Sequence, residues 1–116
     1  MSERDDNLQL GLDGTARFQI LHAARQLIAG QLGVITASRL LSHFRHEAEP
    51  KVAEVLLTFV GIDSETDALP IGAVRDSWSP EALKRKDREI AEAEGFYRET
   101  ALNAAAELLR LLDVPS

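Results

Sequence analysis

Residues 59–80 read FVGIDSETDALPIGAVRDSWSP and separate two strongly helical halves of the chain. Pro70 and Gly72 mark a turn inside this segment. The segment also holds three carboxylates at alternate positions, an arginine and the only tryptophan of the sequence, at Asp63, Glu65, Asp67, Arg75 and Trp78. We therefore expect an ordered acidic loop between the helices, and we expect any functional site to lie there.

The half before this segment predicts one long helix. Apolar residues recur there every seven positions, at Ile20, Leu27, Val34 and Leu41. This pattern is typical of a helix that presents one face to a partner. Gly30 and Gly33 oppose it, since a glycine inside a helix costs about 1 kcal/mol relative to alanine. A break at GQLG is the alternative, but the register crosses both glycines, so we expect a continuous helix from about Thr15 to about Arg45.

The stretch that follows Pro50 predicts a short helix that ends at Gly61. Its apolar residues stand at helical spacing, at Val52, Val55, Leu56, Phe59 and Val60. Because the run is short and rich in β-branched residues, a strand is the alternative.

A second long helix is predicted to begin at Ser79 and to run to Leu112. Ser79 can cap it, Pro80 suits its first position, and Glu81 faces the positive end of its dipole. Asp87 and Glu94 fall on its apolar face. Either the first half of this helix leaves the bundle, or these acids meet cations across the seam.

These elements predict an all-α fold, an antiparallel hairpin of two long helices with a short third helix packed across it. Residues 1–14 are expected to form a flexible lead, and residues 15–116 a single helical domain. A hairpin this thin leaves part of its apolar face uncovered. A homodimer with a four-helix arrangement would cover that face.

The composition limits the function classes. A net charge of −6 over 116 residues disfavours binding to nucleic acid, although Lys84, Arg85, Lys86 and Arg88 form a local basic cluster. No apolar run approaches the ~20 residues that cross a bilayer, and the acidic start MSERDDNLQL is unlike a secretion signal, so we expect a cytoplasmic protein. The absence of cysteine excludes disulfides, thiolate metal sites and a cysteine nucleophile.

The acidic loop predicts a partner-binding surface made of Asp63, Glu65, Asp67, Arg75 and Trp78. Arginine and tryptophan are over-represented at binding hot spots, and the acidic net charge would steer a basic protein partner. The alternative is a structural clasp, in which Trp78 covers the end of the bundle and Arg75 neutralises one of the loop acids. Both interpretations predict that Trp78 is at least partly buried.

Two patterns leave a metal site open. The spacing of Asp63, Glu65 and Asp67 is similar to the start of a calcium loop, but Ala68 stands where that loop needs glycine and Val74 where it needs glutamate. A second candidate is a cluster of two imidazoles and a carboxylate near the end of the first long helix, at His43, His46 and Glu47. No second histidine cluster accompanies it, and we expect no resident metal or cofactor.

One pattern leaves an enzyme open. Arg39 with His46 resembles the arginine–histidine signature of small helical ribonucleases of the nucleotide-binding-associated class. The resemblance implies a histidine that acts as acid or base and an arginine that offsets phosphate charge. The acidic net charge argues against that chemistry.

The segment FVGIDSETDALPIGAVRDSW, followed by SPEALKRKDREI, resembles a family of small uncharacterised bacterial helical proteins, over most of the chain from Ala24 onward. The resemblance implies a bacterial cytoplasmic protein and no particular activity. The sequence as a whole favours a non-enzymatic protein-interaction module, regulatory or immunity-like, over a small metal-dependent enzyme or a ribonuclease-like helical protein.

Overall fold

Four α-helices and one 3-10 helix make up the regular structure of residues 14–113, the part of the chain that the computed structural model describes. The helices are α1 (Gly14–Ile28), α2 (Val34–Ser42), α3 (Pro50–Thr66) and α4 (Pro80–Leu112), and the 3-10 helix is Gly72–Ser77. The all-α prediction is confirmed for these residues. The predicted flexible lead lies outside them, apart from Gly14, which begins α1.

The first predicted helix is in fact two helices. Gly30 has a φ of +77°, and its N–H group bonds the Leu27 carbonyl at 3.1 Å while that of Gln31 bonds the Gln26 carbonyl at 2.9 Å. This is a Schellman motif, which ends α1. The prediction of a continuous helix from Thr15 to Arg45 is therefore wrong, and with it the hairpin of two long helices.

The seven-residue register still identified the core on both sides of the break. Its four members are almost inaccessible, with exposed fractions of 0–2% for Ile20, Leu27, Val34 and Leu41. The chain turns at Gly30, but α1 and α2 both direct these residues inward. The seven-residue period thus predicted the buried face correctly, but the prediction of a continuous helix drawn from it was wrong.

The third helix is longer than predicted. Pro50 opens α3 as expected, but the helix passes Gly61 and ends at Thr66. Ile62 and Thr66 are buried and continue the inward face of the helix, and the Thr66 hydroxyl donates to the Ile62 carbonyl at 2.7 Å. The prediction that this helix ends at Gly61 is wrong, because the buried face extends one more turn.

The last helix agrees with its prediction at both ends. Ser79 accepts the Ala82 N–H at 3.1 Å, Pro80 takes the first position, and the helix ends at Leu112. At 33 residues, α4 sets the length of a molecule that measures 55 × 27 × 21 Å. None of the helices in residues 14–113 combines the length and the hydrophobicity needed to span a bilayer.

The core lies around the second half of α4. All buried residues of α4 lie in that half, at Ala101, Ala104, Ala105, Leu108 and Leu112. Helix α1 packs against this half and α3 also contacts α4, while α2 packs mainly against α3. Arg17 donates to the Leu112 carbonyl, and Arg25 pairs with Asp113 at 2.6 Å, so side chains from the first and the last turns of α1 both bond to the end of α4. The first half of α4 therefore lies at the edge of the bundle.

Candidate functional site

Asp63 lies in the last turns of α3 and faces α2. Its carboxylate accepts the Ser42 hydroxyl at 3.2 Å and lies 3.6 Å from the Arg39 Nε. The Nη2 of Arg39 donates to the carbonyls of Thr66 at 2.6 Å and Leu69 at 2.8 Å. Arg39 therefore satisfies carbonyls at the C-terminal end of α3, where a cation is also favoured by the helix dipole.

The three acids of the predicted loop do not face one way. Asp63 and Glu65 belong to α3, and Asp67 follows its last residue, so the extended chain that would align them is absent here. Glu65 and Asp67 are exposed. Within residues 14–113, no three histidine, aspartate or glutamate side chains are grouped to hold a metal ion. Neither the calcium-like loop nor the cluster of His43, His46 and Glu47 forms such a group.

Arg75 pairs with a different acid from those predicted. Its Nη1 lies 2.8 Å from the Asp87 Oδ1 and donates to the Pro70 carbonyl at 3.1 Å, while its Nη2 lies 3.1 Å from the Asp87 Oδ2. The hydrogen bond from Arg75 lowers the pKa of Asp87, and the same bond raises the pKa of Arg75. The prediction that Arg75 neutralises a loop acid is wrong, but it does clasp the loop onto α4.

Trp78 is partly buried, as both interpretations of the loop predicted. It stands between the 3-10 helix and the Ser79 cap of α4, and its N–H group bonds the Arg75 carbonyl at 3.1 Å. The fluorescence of Trp78 is therefore a suitable probe for the segment that Arg75 holds in place.

Glu94 caps α2. In the sequence it stood out only as an acid on the apolar face of the last helix. Its two carboxylate oxygens accept the N–H groups of Val34 at 2.7 Å and Ile35 at 2.9 Å. Gly33 precedes this helix and offers no side chain for the purpose. A Cβ at Gly33 would lie 3.1 Å from the Glu94 Oε2, so the missing side chain also makes room for the cap. The acid meets backbone amides at a helix N-terminus rather than a cation.

A groove of about 510 Å³ lies between the C-terminal end of α3 and the middle of α4. Its acidic residues are Glu65, Glu89 and Glu92, and its apolar residues include Leu69, Phe96 and Tyr97. We call it the acid-rimmed groove. Phe96 is 78% exposed and meets Tyr97 edge-on, with 4.8 Å between the ring centroids. The sequence reasoning missed Phe96, although an aromatic residue outside the buried stripe of α4 is a usable signal.

The basic cluster overlaps the start of the groove on α4, where Lys86 is one of the lining residues. Lys84, Arg85 and Arg88 are exposed, and Lys86 pairs with Glu89 at 3.1 Å. Neither Arg85 nor Arg88 pairs with any residue of the described chain. Their charges are thus available to another molecule.

Arg39 and His46, the two residues of the ribonuclease hypothesis, have different hydrogen-bond partners. Arg39 is engaged with the end of α3, whereas the His46 Nε2 accepts the Arg45 Nε at 2.9 Å, beyond the last residue of α2. The side chains of Arg39 and His46 do not hydrogen-bond to each other in the described part of the chain. Nothing in this arrangement favours joint chemistry by the two side chains.

A second, more apolar groove of about 370 Å³ lies between α1 and α2. Phe18 and Leu40, which line it, are 62% and 46% exposed. The ring of Phe18 stacks on His22 at 5.6 Å, and His43 and Phe44 complete the opposite wall. This surface gives a second exposed phenylalanine that lies on a different helix from Phe96.

Comparison of the chain with protein-family models, curated proteins and solved structures gives no match. The resemblance to small bacterial helical proteins therefore stays a prediction. The functional conclusion depends on the side-chain geometry of the protein itself.

Proposed function

We propose that the protein is a non-enzymatic protein-interaction module, regulatory or immunity-like, which holds a basic segment of a partner protein in the acid-rimmed groove. The observation that carries the proposal is the 78% exposure of Phe96 beside the carboxylates of Glu89 and Glu92. An aromatic anchor with a charged rim is the usual composition of a protein-binding hot spot.

Phe96 supplies the apolar part of the binding energy. Covering a phenylalanine side chain contributes roughly 1.5–3 kcal/mol. The ring of Phe96 meets Tyr97 edge-on, so two adjoining aromatic side chains form the apolar part of the groove.

The carboxylates of the groove make it favour a positively charged segment of the partner. Glu65, on α3, and Glu92, on α4, stand on opposite walls of the groove, and neither is paired with a cation of the described chain. A basic side chain that enters between them meets negative charge on both sides. With a net charge of −6, the whole protein also attracts a basic partner before contact.

The five residues predicted from the sequence divide between contact and support under this proposal. Glu65 lines the groove and Asp67 lies exposed at the end of α3 beside it, so both can meet the partner. Asp63 and Arg75 are bonded within the chain and hold the walls in position. Trp78 is partly buried, and its N–H group bonds the Arg75 carbonyl at the end of the segment that Arg75 clasps.

Side chains that would serve an enzyme have structural partners instead. Arg39, the arginine of the ribonuclease alternative, is bonded to two carbonyls at the end of α3, and His46 accepts a hydrogen bond from Arg45. This favours the interaction module over the enzyme alternatives.

Selection of random peptides displayed on phage against the full chain tests the proposal. We expect enriched peptides to be rich in lysine and arginine and to include an apolar residue. Their affinity for the Phe96→Ala variant and for a Glu89→Gln/Glu92→Gln variant should fall at least about tenfold, a loss of about 1.4 kcal/mol. Phe18→Ala is the matched control, since it removes an exposed phenylalanine from the other groove. Enrichment of acidic peptides, or equal binding by Phe96→Ala, would contradict the proposal.

A further inference from the structure

The charges of α4 between Lys84 and Glu99 fall into two consecutive blocks. The basic block, residues 84–88, holds four cations and one acid, Asp87, which Arg75 already neutralises. The acidic block, residues 89–99, holds four glutamates and one arginine. One of these glutamates, Glu94, caps α2, and the other three are exposed. The helix is therefore positive along one stretch and negative along the next.

Pairing within the helix leaves most of these charges uncompensated. Arg85 with Glu89 and Arg88 with Glu92 have the i,i+4 spacing of a helical ion pair, yet neither pair forms. Lys86 with Glu89 is the pair that the structure shows within the two blocks. Both blocks can thus act on another molecule.

The surface that carries the blocks is open to another helix. No residue of α4 before Ala101 is buried. Gly95 is exposed as well, and a Cβ added to it would meet nothing within 4 Å. A second helix can approach α4 closely along this stretch.

We propose that the basic segment which the acid-rimmed groove holds is the basic block of a second copy of this chain, so that two α4 helices pair antiparallel. The inference rests on the function proposed for the groove and names its partner. A two-fold axis midway between the blocks, close to Ile90, places each basic block opposite the acidic block of the other copy. A parallel pair would place like charges together, so the charge order selects one orientation.

The same arrangement gives Phe96 a neighbour. In the antiparallel pair, the Phe96 ring of each copy lies against the basic block of the other. Long basic side chains cover apolar surface with their methylene stems, and an arginine can stack on an aromatic ring. The groove, the exposed phenylalanine and the unpaired arginines are then explained by one contact, made twice.

Charge-block variants test the proposal in the full chain. The Arg85→Glu/Arg88→Glu variant removes the net positive charge of the basic block, and the Glu89→Lys/Glu92→Lys variant makes the acidic block basic. We expect a dimer for the wild type in sedimentation equilibrium, a monomer for each variant alone, and a heterodimer when the two variants are mixed. Added salt should weaken the wild-type dimer. Circular dichroism checks that each variant folds, which is expected because all four side chains are exposed.

The Arg45→Glu/Lys51→Glu variant is the matched control, since it changes the net charge as much as the acidic variant does, on exposed residues far from the two blocks in sequence. It should remain a dimer. A wild type that is monomeric up to about millimolar concentration, or a mixture of variants that stays monomeric beside a dimeric wild type, would overturn the self-pairing. If that monomer still selects basic peptides through Phe96, the function proposed for the groove stands. A dimer that survives in both charge variants overturns the self-pairing as well.

Discussion

Glu94 is the residue on which the start of α2 depends. It accepts two N–H groups of the first turn from a position 60 and 59 residues away in sequence. We expect Glu94→Gln to lower the free energy of unfolding by about 1–2 kcal/mol, because one charged acceptor is lost at a helix N-terminus.

Urea unfolding followed by circular dichroism measures that loss. Glu99→Gln is the control, since Glu99 is an exposed glutamate of the same helix with no ion-pair partner in the described chain. Equal stability of the two variants would show that the negative charge of the cap contributes nothing, since the amide oxygen of glutamine can still accept one N–H group.

Two glycines should respond in opposite directions to the same substitution. Gly61 is exposed inside α3 with open space around it, so Gly61→Ala should stabilise the protein by about 0.5–1 kcal/mol. Gly30 has a φ of +77°, so Gly30→Ala should destabilise it by about 1–2 kcal/mol. Thermal unfolding of both variants separates the two effects, and an unchanged melting temperature for Gly30→Ala would contradict the second.

Single residues also show what sequence reasoning could and could not reach. Spacing identified Ile20, Leu27, Val34 and Leu41 as core because burial follows the helical period. It missed the break at Gly30, since the period is blind to the φ angle of one residue. The role of Glu94 was out of reach for another reason, because its partners are backbone amides of a distant helix. Of the acid-rimmed groove, Glu65 was predicted and Phe96 was not.

At the level of elements, the Arg39 side chain of α2 binds the C-terminal end of α3. Arg39 bonds two carbonyls at the end of α3 and approaches Asp63, and it supplies several donors in a fixed plane. We expect Arg39→Leu to destabilise the protein by about 1–3 kcal/mol, because buried acceptors lose their donor. Hydrogen exchange should quicken first in the last turn of α3.

Arg39→Lys serves as the graded variant. A lysine keeps the positive charge at the end of α3 but replaces the planar fork by a single ammonium group, so it should restore part of the stability. Full restoration by lysine would mean that the planar guanidinium is not needed, because an ammonium group also carries donors for the two carbonyls. Protection of α3 that stays unchanged in Arg39→Leu would contradict the role assigned to Arg39.

For the molecule as a whole, exposed ion pairs predict the response to acid. Arg75 lowers the pKa of Asp87, and Arg110 lowers the pKa of Glu107. A carboxyl whose folded pKa is depressed stabilises the folded state above its unfolded pKa, near 3.9–4.3 for these groups. That contribution is lost as the pH falls through the folded pKa.

We therefore expect the free energy of unfolding to fall below about pH 4, and the Asp87→Asn variant to show a shallower fall. Trp78 fluorescence should follow release of the Arg75 segment, and circular dichroism should follow the helices. If Asp87→Asn leaves the dependence of the unfolding free energy on pH unchanged, the bond between Arg75 and Asp87 does not contribute to the loss of stability in acid.

The order of assembly on the ribosome follows from the contact between α1 and the end of α4. Residues are added at roughly 5–20 per second, so roughly 4–17 s pass between completion of the first helix and synthesis of the surface that covers it. A nascent chain that stops before Ala101 lacks the surface of α4 against which α1 packs, and translation must pass that point before the domain can close. Premature termination would therefore leave a product for proteases to clear rather than a smaller working version.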